Sequence, residues 1–302
     1  MKEKIVIASG TGFLGNILIS HFKNTYNIVV LTREKSKQEN NITYQHWDAK
    51  SVGNWSSVLE DAKVLINLTG KSVNCRYTSK NKKAILQSRT ESTFILNQAI
   101  ILCKNPPKHF INASTATIYV DSRHKKMTEE NGVIGNDFSM TVAQQWEETF
   151  FNYKTPNTLK TALRIGIVLG KNGGAFIPLK RLTQFGFGGK QGDGHQLMSW
   201  IHELDFARAV QFIIDHQLEN GINVTSPNTI TNKTFMQLLK TETNTIIALP
   251  TPTFLLKLGA KIIGTEPELV LKSRNVIPKI LEDRGFQFLY PNASEAIQNL
   301  LS

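Results

Sequence analysis

Nothing in these 302 residues is long and apolar enough to span a bilayer, since no run approaches the roughly 18 residues that a membrane helix needs. Cysteine is scarce. Cys75 and Cys103 are the only two, neither sits at a metal-ligand spacing, and both are expected to be free thiols of a reducing compartment. The seven histidines form no His-x-x-x-His pair and no Cys/His cluster, so no metal is expected. No Gly-x-Ser-x-Gly elbow is present for hydrolysis, and no Gly-x-x-x-x-Gly-Lys-Ser/Thr loop for a nucleotidase. Low-complexity tracts and internal repeats are missing too. The first apolar strand begins at Lys4, which leaves no room for a secretion signal, so a cytoplasmic location is expected.

Acid is in short supply relative to base, and the formal net charge is +11. The lysines cluster only loosely (Lys80, Lys82, Lys83; Lys104, Lys108; Lys125, Lys126), with no aromatic-interleaved basic motif. The excess therefore reads as a diffuse positive field that attracts small anionic ligands. A small-molecule substrate is expected, with no nucleic acid and no membrane as partner. A composition of 40% hydrophobic and 20% charged residues is that of a globular chain, long enough for one large domain with an appendage or for two domains.

What the chain does have is a strand running straight into a glycine turn. Residues 4–9 are a continuous apolar run but for their ends, and Gly10-Thr11-Gly12-Phe13-Leu14-Gly15 follows at once. Phe13, Leu14, Ile17, Leu18 and Phe22 then recur at helical spacing. Strand, Gly-x-Gly-x-x-Gly and helix in that order are the context in which this motif carries meaning. Gly10 makes the tight turn, Gly12 lets backbone approach a pyrophosphate, and Gly15 lets the helix pack on the strand. The helix N-terminus offers free N–H groups and a positive dipole end to phosphates. The stretch predicts a dinucleotide-binding Rossmann unit.

A second strand over 27–33 ends where an NAD-specific site places an acidic residue on the ribose. Thr32 stands there instead, followed by Arg33, with Lys35 and Lys37 beyond. A guanidinium pairs bidentately with a 2′-phosphate, so NADP is expected in preference to NAD. Further strands read at 42–48, 63–70, 108–115, 159–169 and 221–226, alternating with helices at 56–62, 79–104, 142–153 and 203–217. The alternation predicts an α/β fold, a doubly wound parallel sheet, with ligands at the carboxyl ends of its strands. Arg33, Thr69, Gly70, Ser114, Thr115 and Gly166 fall at or near those ends. Residues 170–194 are glycine-rich and read as a mobile loop over the site. Past a hinge at 228–232, helices are expected at 233–242, 253–263, 267–283 and from 294. Residues 1–230 thus read as a cofactor domain and 231–302 as a small, mainly helical cap.

More specific signals accompany the glycine turn. They are Asn67-Leu68-Thr69-Gly70, Ser88-Arg89 with Ser92-Thr93, Trp146-Glu147, Arg164-Ile165-Gly166-Ile167-Val168-Leu169-Gly170 and Met198-Ser199-Trp200-Ile201-His202-Glu203-Leu204-Asp205, then Pro278 with Leu281, Gly285-Phe286-Gln287-Phe288 and Tyr290-Pro291. Across essentially the whole chain they resemble the extended short-chain dehydrogenase/reductases. The narrower likeness is to a branch named for sugar-nucleotide epimerases and sometimes called cell-division inhibitors. The resemblance implies cofactor contacts at Gly10, Thr11, Gly12, Phe13, Leu14, Gly15, Thr32, Arg33, Leu68, Thr69, Gly70, Arg89, Ala113 and Gly166. It implies a substrate pocket lined by Met198, Trp200 and His202, and leaves the helix at 79–104 open as a homodimer face.

Two departures from that family matter. Ser9 stands where the superfamily usually has a further glycine, and at a positive φ a serine costs roughly 1 kcal/mol. The chain also contains no Tyr-x-x-x-Lys; counting back from Trp146-Glu147, Ser139 and Ala143 hold those places. By analogy Thr115 replaces the serine that hydrogen-bonds the reacting carbonyl, with Ser114 beside it. Tyr119 is the nearest phenol, and Arg123 four residues on could lower its pKa; the alternative is a packing tyrosine. His202 is either an acid–base group or a helix cap. Glu147 and Asp205 read as solvated helix charges. Two functions stay open: an NADP-dependent oxidoreductase or epimerase-like enzyme, and a catalytically silent NADP-binding sensor.

Overall fold

In the computed structural model, which describes residues 2–263 and 266–302, β1 (Lys4–Ala8) leads into α1 (Phe13–Phe22) and β2 (Asn27–Thr32). A short edge hairpin follows, β3 (Lys37–Glu39) and β4 (Ile42–His46). Its turn is Asn40-Asn41, both at positive φ (50° and 63°), as a tight hairpin of matching twist requires. Then come β5 (Ala62–Asn67), the 24-residue α2 (Ser79–Leu102), β6 (His109–Thr115), α3 (Phe138–Phe151) and β7 (Leu159–Ile165). The expected helix at 142–153 starts at Phe138 because Asp137 caps it, accepting from the Met140 N–H at 2.9 Å.

Beyond Gly166 the chain leaves the main sheet. The single strand expected at 159–169 breaks there, and β8 (Ile167–Gly170) pairs instead with β9 (Gly173–Gly174) and β11 (Trp200–His202). A Cβ on Gly166 would lie 2.8 Å from the Ser199 carbonyl, so the crossing admits only glycine. The glycine-rich stretch is not one long loop: it holds β9 of the β8–β9 hairpin and α4 (Phe176–Leu182), and β10 (Leu197–Met198) follows it. The chain continues through α5 (Glu203–Asp215), β12 (Asn220–Val224), β13 (Ile230–Thr231), α6 (Asn232–Glu242) and α7 (Thr253–Ile263). The helix expected at 267–283 is two short ones, α8 (Glu268–Leu271) and α9 (Lys279–Asp283). Between them Val276 bridges to Met127 in extended backbone, and Pro278 precedes α9. The last element is α10 (Ala293–Leu301).

The main sheet has the order β12-β7-β6-β5-β1-β2-β4-β3, parallel throughout except at β3. Helices cover both faces, so central strands are apolar without alternation. Ile5 and Ile7 enter one core with α1 and α5, while Val6 and Ala8 enter the other with α2, Trp47 and Trp55. The order turns back between β1 and β5, and that is the switch point at which such sheets bind ligands. Residues 231–302 are not confined to a cap, because Leu281 and Phe286 join the core under α5 and β12. Phe235, Met236, Ile297 and Leu300 build a smaller core with Phe176 and Trp200. No described helix is long and apolar enough to cross a membrane.

One buried base marks the foot of the sheet. His109, at the start of β6, is 3% exposed; its Nε2 lies 2.7 Å from Thr161 Oγ1, and its Nδ1 has no partner among the described residues. Burial drives its pKa from 6.5 down to about 4. Between those values the unfolded chain carries the extra proton, so stability falls as pH drops from 6.5 towards 4. Urea unfolding at pH 7 and pH 4.5 is expected to show a loss of about 2 kcal/mol from this group, and a His109→Gln variant should lose correspondingly less.

Candidate functional site at the strand ends

The turn after β1 is built by contacts that leave no slack. Ser9 has φ 59°, the left-handed geometry that glycine adopts freely and serine does not. Its N–H donates to the Leu31 carbonyl at 2.9 Å, and its Oγ lies 3.0 Å from Thr69 Oγ1, tying the end of β1 to the chain leaving β5. A Cβ on Gly15 would lie 2.1 Å from the Gly10 carbonyl oxygen, so α1 rests directly on the turn. A Cβ on Gly12 would find nothing nearer than 3.9 Å: this backbone faces open space. Gly12 also precedes α1 with no side-chain cap, leaving first-turn N–H groups for an anion. Phe13 turns away, its ring packed on Gly170, Gly173 and Gly174. Leu14 packs against the core.

At the end of β2, Thr32 is buried and its Oγ1 accepts from the Glu34 N–H at 3.2 Å. Arg33 is exposed beside it. Glu34 follows, so the strand end is not free of acid; Arg33 and Lys35 flank that carboxylate. Across the switch point, Asn67 Oδ1 accepts from the Thr69 N–H at 3.0 Å, while its Nδ2 donates to Asn112 and Thr93. Arg89 lies under Gly70, where a Cβ would meet the guanidinium at 3.1 Å. Its Nη1 donates to the carbonyls of Lys71 and Ile85, and the cation sits 5.0 Å from the Trp146 ring centre. Burial lowers its pKa to about 10, which leaves it charged at neutrality. The glycine turn, Thr69, Gly70 and Arg89 therefore gather at one place. Ala113 is buried in β6, and Gly166 packs against Ser199 and Thr225.

The hydroxyls expected to do chemistry are mostly engaged inside the fold. Ser114 Oγ donates to Glu147 Oε1 at 2.6 Å. Arg164 grips the same carboxylate through Nε (2.9 Å) and Nη2 (2.8 Å), and its Nη1 donates to the Tyr119 hydroxyl at 2.7 Å. Tyr119 in turn donates to Asn223 Oδ1 at 3.0 Å. Burial works against the charge on Arg164, but Glu147 outweighs it and holds the guanidinium above its ordinary pKa. Burial also raises the Tyr119 phenol, more than Arg164 and Asn223 lower it. Tyr119 has no exposed surface, and Arg123, its expected activator, pairs with Asp193 instead. Tyr119 is thus a packing tyrosine with both hydrogen-bonding capacities used, which does not suit a proton donor. Glu147 is likewise no solvated charge. Thr115 alone of the three remains partly exposed, its Oγ1 2.8 Å from Thr117 Oγ1.

Met198, Trp200 and His202, the expected pocket residues, are built into the fold. Met198 pairs with Ile230, Trp200 is fully buried with Nε1 donating to the Asn228 carbonyl, and His202 is 1% exposed. His202 caps α5, its Nδ1 accepting from the Leu204 N–H at 3.1 Å, and its ring lies against Tyr290. Burial lowers its pKa, with Asp205 opposing, so it stays a neutral acceptor. Asp205, also fully buried, accepts from the N–H groups of Leu289 and Tyr290 at 2.8 Å each. Ser199 Oγ donates to the Arg274 carbonyl and accepts from the Val276 N–H, each at 2.8 Å. The block clamps the returning C-terminal chain, and of the three expected pocket residues only Met198 keeps some exposed surface.

At the head of α3 stands a group that the spacing does not disclose. Ser139 Oγ donates to Glu268 Oε1 at 2.7 Å, and Ala143 is buried. Tyr77, from the loop between β5 and α2, packs edge-on against Phe138 with ring centres 4.9 Å apart. Burial raises its pKa, and a hydrogen bond with Ser139 opposes that rise, so the phenol keeps its proton at neutrality. A different element thus brings a phenol to the place where the family resemblance puts one. No motif pointed to it, because Tyr77 lies 62 residues from Ser139 in sequence (139 − 77). Among the described residues, no group of three metal-ligating side chains forms.

Comparison with known proteins agrees with this geometry. Residues 5–140 match the NAD dependent epimerase/dehydratase family, and 251–300 match a domain of unknown function, DUF1731. An epimerase family protein of Staphylococcus haemolyticus is 31% identical over 302 residues, covering 99% of both chains. One from Bacillus subtilis is 31% identical, covering 99% of this chain and 98% of its own. The human epimerase family protein SDR39U1, crystallised with NADPH, superposes with a TM-score of 0.87 at 23% identity over 98% of each chain. A nucleoside-diphosphate sugar epimerase from Corynebacterium glutamicum gives 0.81 at 26% identity, covering all of this chain and 58% of that one.

The buried pair generates its own test. Glu147→Ala leaves Arg164 as an unpaired interior cation, and a loss of about 3–5 kcal/mol is expected in denaturant unfolding. A loss below about 1 kcal/mol, the range of exposed pairs, would show that water reaches the pair.

Proposed function

This chain belongs to the epimerase protein family, and from that premise we propose that it is an NADP(H)-dependent oxidoreductase of epimerase type, of the extended short-chain dehydrogenase/reductase kind. Its substrate would be a small carbonyl compound or nucleotide sugar. The observation that carries this reading is the open, uncapped backbone at Gly12, set at the switch point of the sheet with Arg33 at the end of the neighbouring strand. These residues fit a dinucleotide: bare N–H groups for a pyrophosphate, and a guanidinium for a 2′-phosphate. The SDR39U1 neighbour, solved with NADPH, supports the same coenzyme.

A nicotinamide, when bound, supplies the hydride chemistry. The chain's own residues supply orientation, charge and a proton. Thr115, partly exposed at the end of β6, can donate a hydrogen bond to a carbonyl oxygen while Thr117 supports its hydroxyl. Arg89, carrying no ion pair among the described residues, offers positive charge beneath Gly70 to an anionic group. The protonated Tyr77 phenol is the proton donor in this reading, hydrogen-bonded to Ser139, which in turn donates to Glu268 at the head of α3. A second reading, a cofactor-binding sensor without turnover, is favoured by Ser139 and Ala143 standing in place of the tyrosine and lysine.

Titration of cofactor fluorescence tests the first step. NADPH is expected to bind more tightly than NADH, and Arg33→Ala should weaken NADPH by roughly 10- to 100-fold, the value of a charge-assisted hydrogen bond. NADH binding should barely change. Equal weakening of both coenzymes would remove Arg33 from 2′-phosphate recognition. Turnover of a panel of carbonyl compounds and nucleotide sugars then separates the readings. For any substrate found, Tyr77→Phe should lower kcat by about 100-fold or more, whereas Tyr119→Phe should chiefly lower the melting temperature. Tight NADPH binding with no turnover of any compound would favour the sensor.

A further inference from the structure

Outside the residues placed at the strand ends lies a surface that the cofactor reading does not use. Backbone bonds join 186–192 to 249–251: Leu249 N–H to Gly186, Gly189 N–H to Leu249, Thr251 N–H to Lys190 and Gly192 N–H to Thr251. This ladder sets Phe185 (78% exposed) beside Ile246 (90%), Ile247 and Leu249, around a shallow groove of about 550 Å³. The chain then runs into α7, whose Phe254 (68%) and Leu258 (55%) also face outward. Scattered exposed apolar residues are ordinary, but a contiguous group of this size marks an interaction surface.

The charges around it select the partner. Neither 173–192 nor 243–263 contains an aspartate or glutamate, while Lys180, Arg181, Lys190, Lys257 and Lys261 all lie within those stretches. Arg181, Lys190, Lys257 and Lys261 are exposed. A second copy docking through this face would bring cations against cations. A helix with outward aromatic and leucine side chains and lysines beside them has the character of one lying in a lipid headgroup layer, and an anionic leaflet attracts each nearby lysine or arginine. That no described helix is long and apolar enough to cross a membrane says nothing against a surface attachment of this kind.

We propose that the face formed by 184–190, 246–249 and α7 is a docking surface for an anionic lipid bilayer, on which the protein lies peripherally. Co-sedimentation of the full-length protein with vesicles of phosphatidylcholine containing 30 mol% phosphatidylglycerol tests it, with pure phosphatidylcholine vesicles alongside. Binding is expected to the anionic vesicles and to fall as salt is raised through the range that screens surface charge. Phe254→Ser or Ile246→Ser should weaken it about tenfold each through lost apolar insertion, and Lys257→Glu at least fivefold. Circular dichroism and melting temperature should not change, since these side chains are exposed and hold nothing in place. Failure to sediment with anionic vesicles would overturn the proposal, as would equal partition of wild type and Phe254→Ser. So would a concentration-dependent dimer in sedimentation velocity that Phe254→Ser abolishes, which would assign the face to a second copy.

Discussion

At residue 15 there is no room for a methyl group: it would overlap the Gly10 carbonyl oxygen at 2.1 Å. That contact presses the first turn of α1 onto the end of β1, and the backbone at Ser9 must turn left-handed to reach it. A left-handed serine costs about 1–2 kcal/mol. The hydroxyl that comes with the Cβ partly offsets this, because its bond to Thr69 joins the two strand ends that flank the switch point. Such a bond contributes about 0.5–1.5 kcal/mol. The serine is therefore less of a defect than it looks beside a glycine-rich motif. It makes the turn and β5 one unit, and the open backbone at Gly12 is placed by that unit.

A second constraint lies under β6 and β7. Glu147 and Arg164 bury opposite charges that neither could leave unpaired, and Ser114, Tyr119 and Asn223 complete their hydrogen bonds. This chain of polar groups ties α3 to β6, β7 and β12. It also withdraws from chemistry the serine and tyrosine nearest to the expected reaction centre. In the proposed function, proton transfer is assigned to the partly exposed groups that remain, Thr115, Thr117 and Tyr77. Ser139 stands where that motif would place its tyrosine, and the Tyr77 phenol from another loop lies against it.

Local pattern made most of the framework legible. Continuous apolar runs marked the parallel strands, helical spacing marked α1, α2 and α5, and the glycine turn placed the switch point. Hydrogen bonds between distant residues hid the rest. Met198 to Asp205 stands out in sequence, yet the partners of Asp205 are 84 and 85 residues away, at Leu289 and Tyr290. Spacing can show that such residues are needed without showing whether they touch a ligand or the chain itself. Gly166 reads as part of a strand because the clash that ends the strand comes from Ser199. The phenol of Tyr77 was hidden in the same way, since its relation to Ser139 exists only after α2 and α3 have packed.

The disposition of charge follows from these contacts. Glu147 and Asp205 have their acid inside, against Arg164 and Arg208, and Glu129 meets the backbone of Asn223. Several of the few carboxylates therefore stabilise the fold rather than balance the surface. Lysines such as Lys190, Lys257 and Lys261 are left facing water. A field of this kind raises the rate at which any anion reaches the protein, and salt weakens it over about 10 Å. What an anion meets on arrival differs from place to place. At Gly12 it finds uncapped N–H groups on open backbone, which suit a phosphate. Along α7 it would find lysines beside bare aromatic and aliphatic side chains, which suit an extended surface that is charged outside and apolar beneath. The same excess of base can thus serve two ligands of unlike size, because local shape and not net charge decides which one stays.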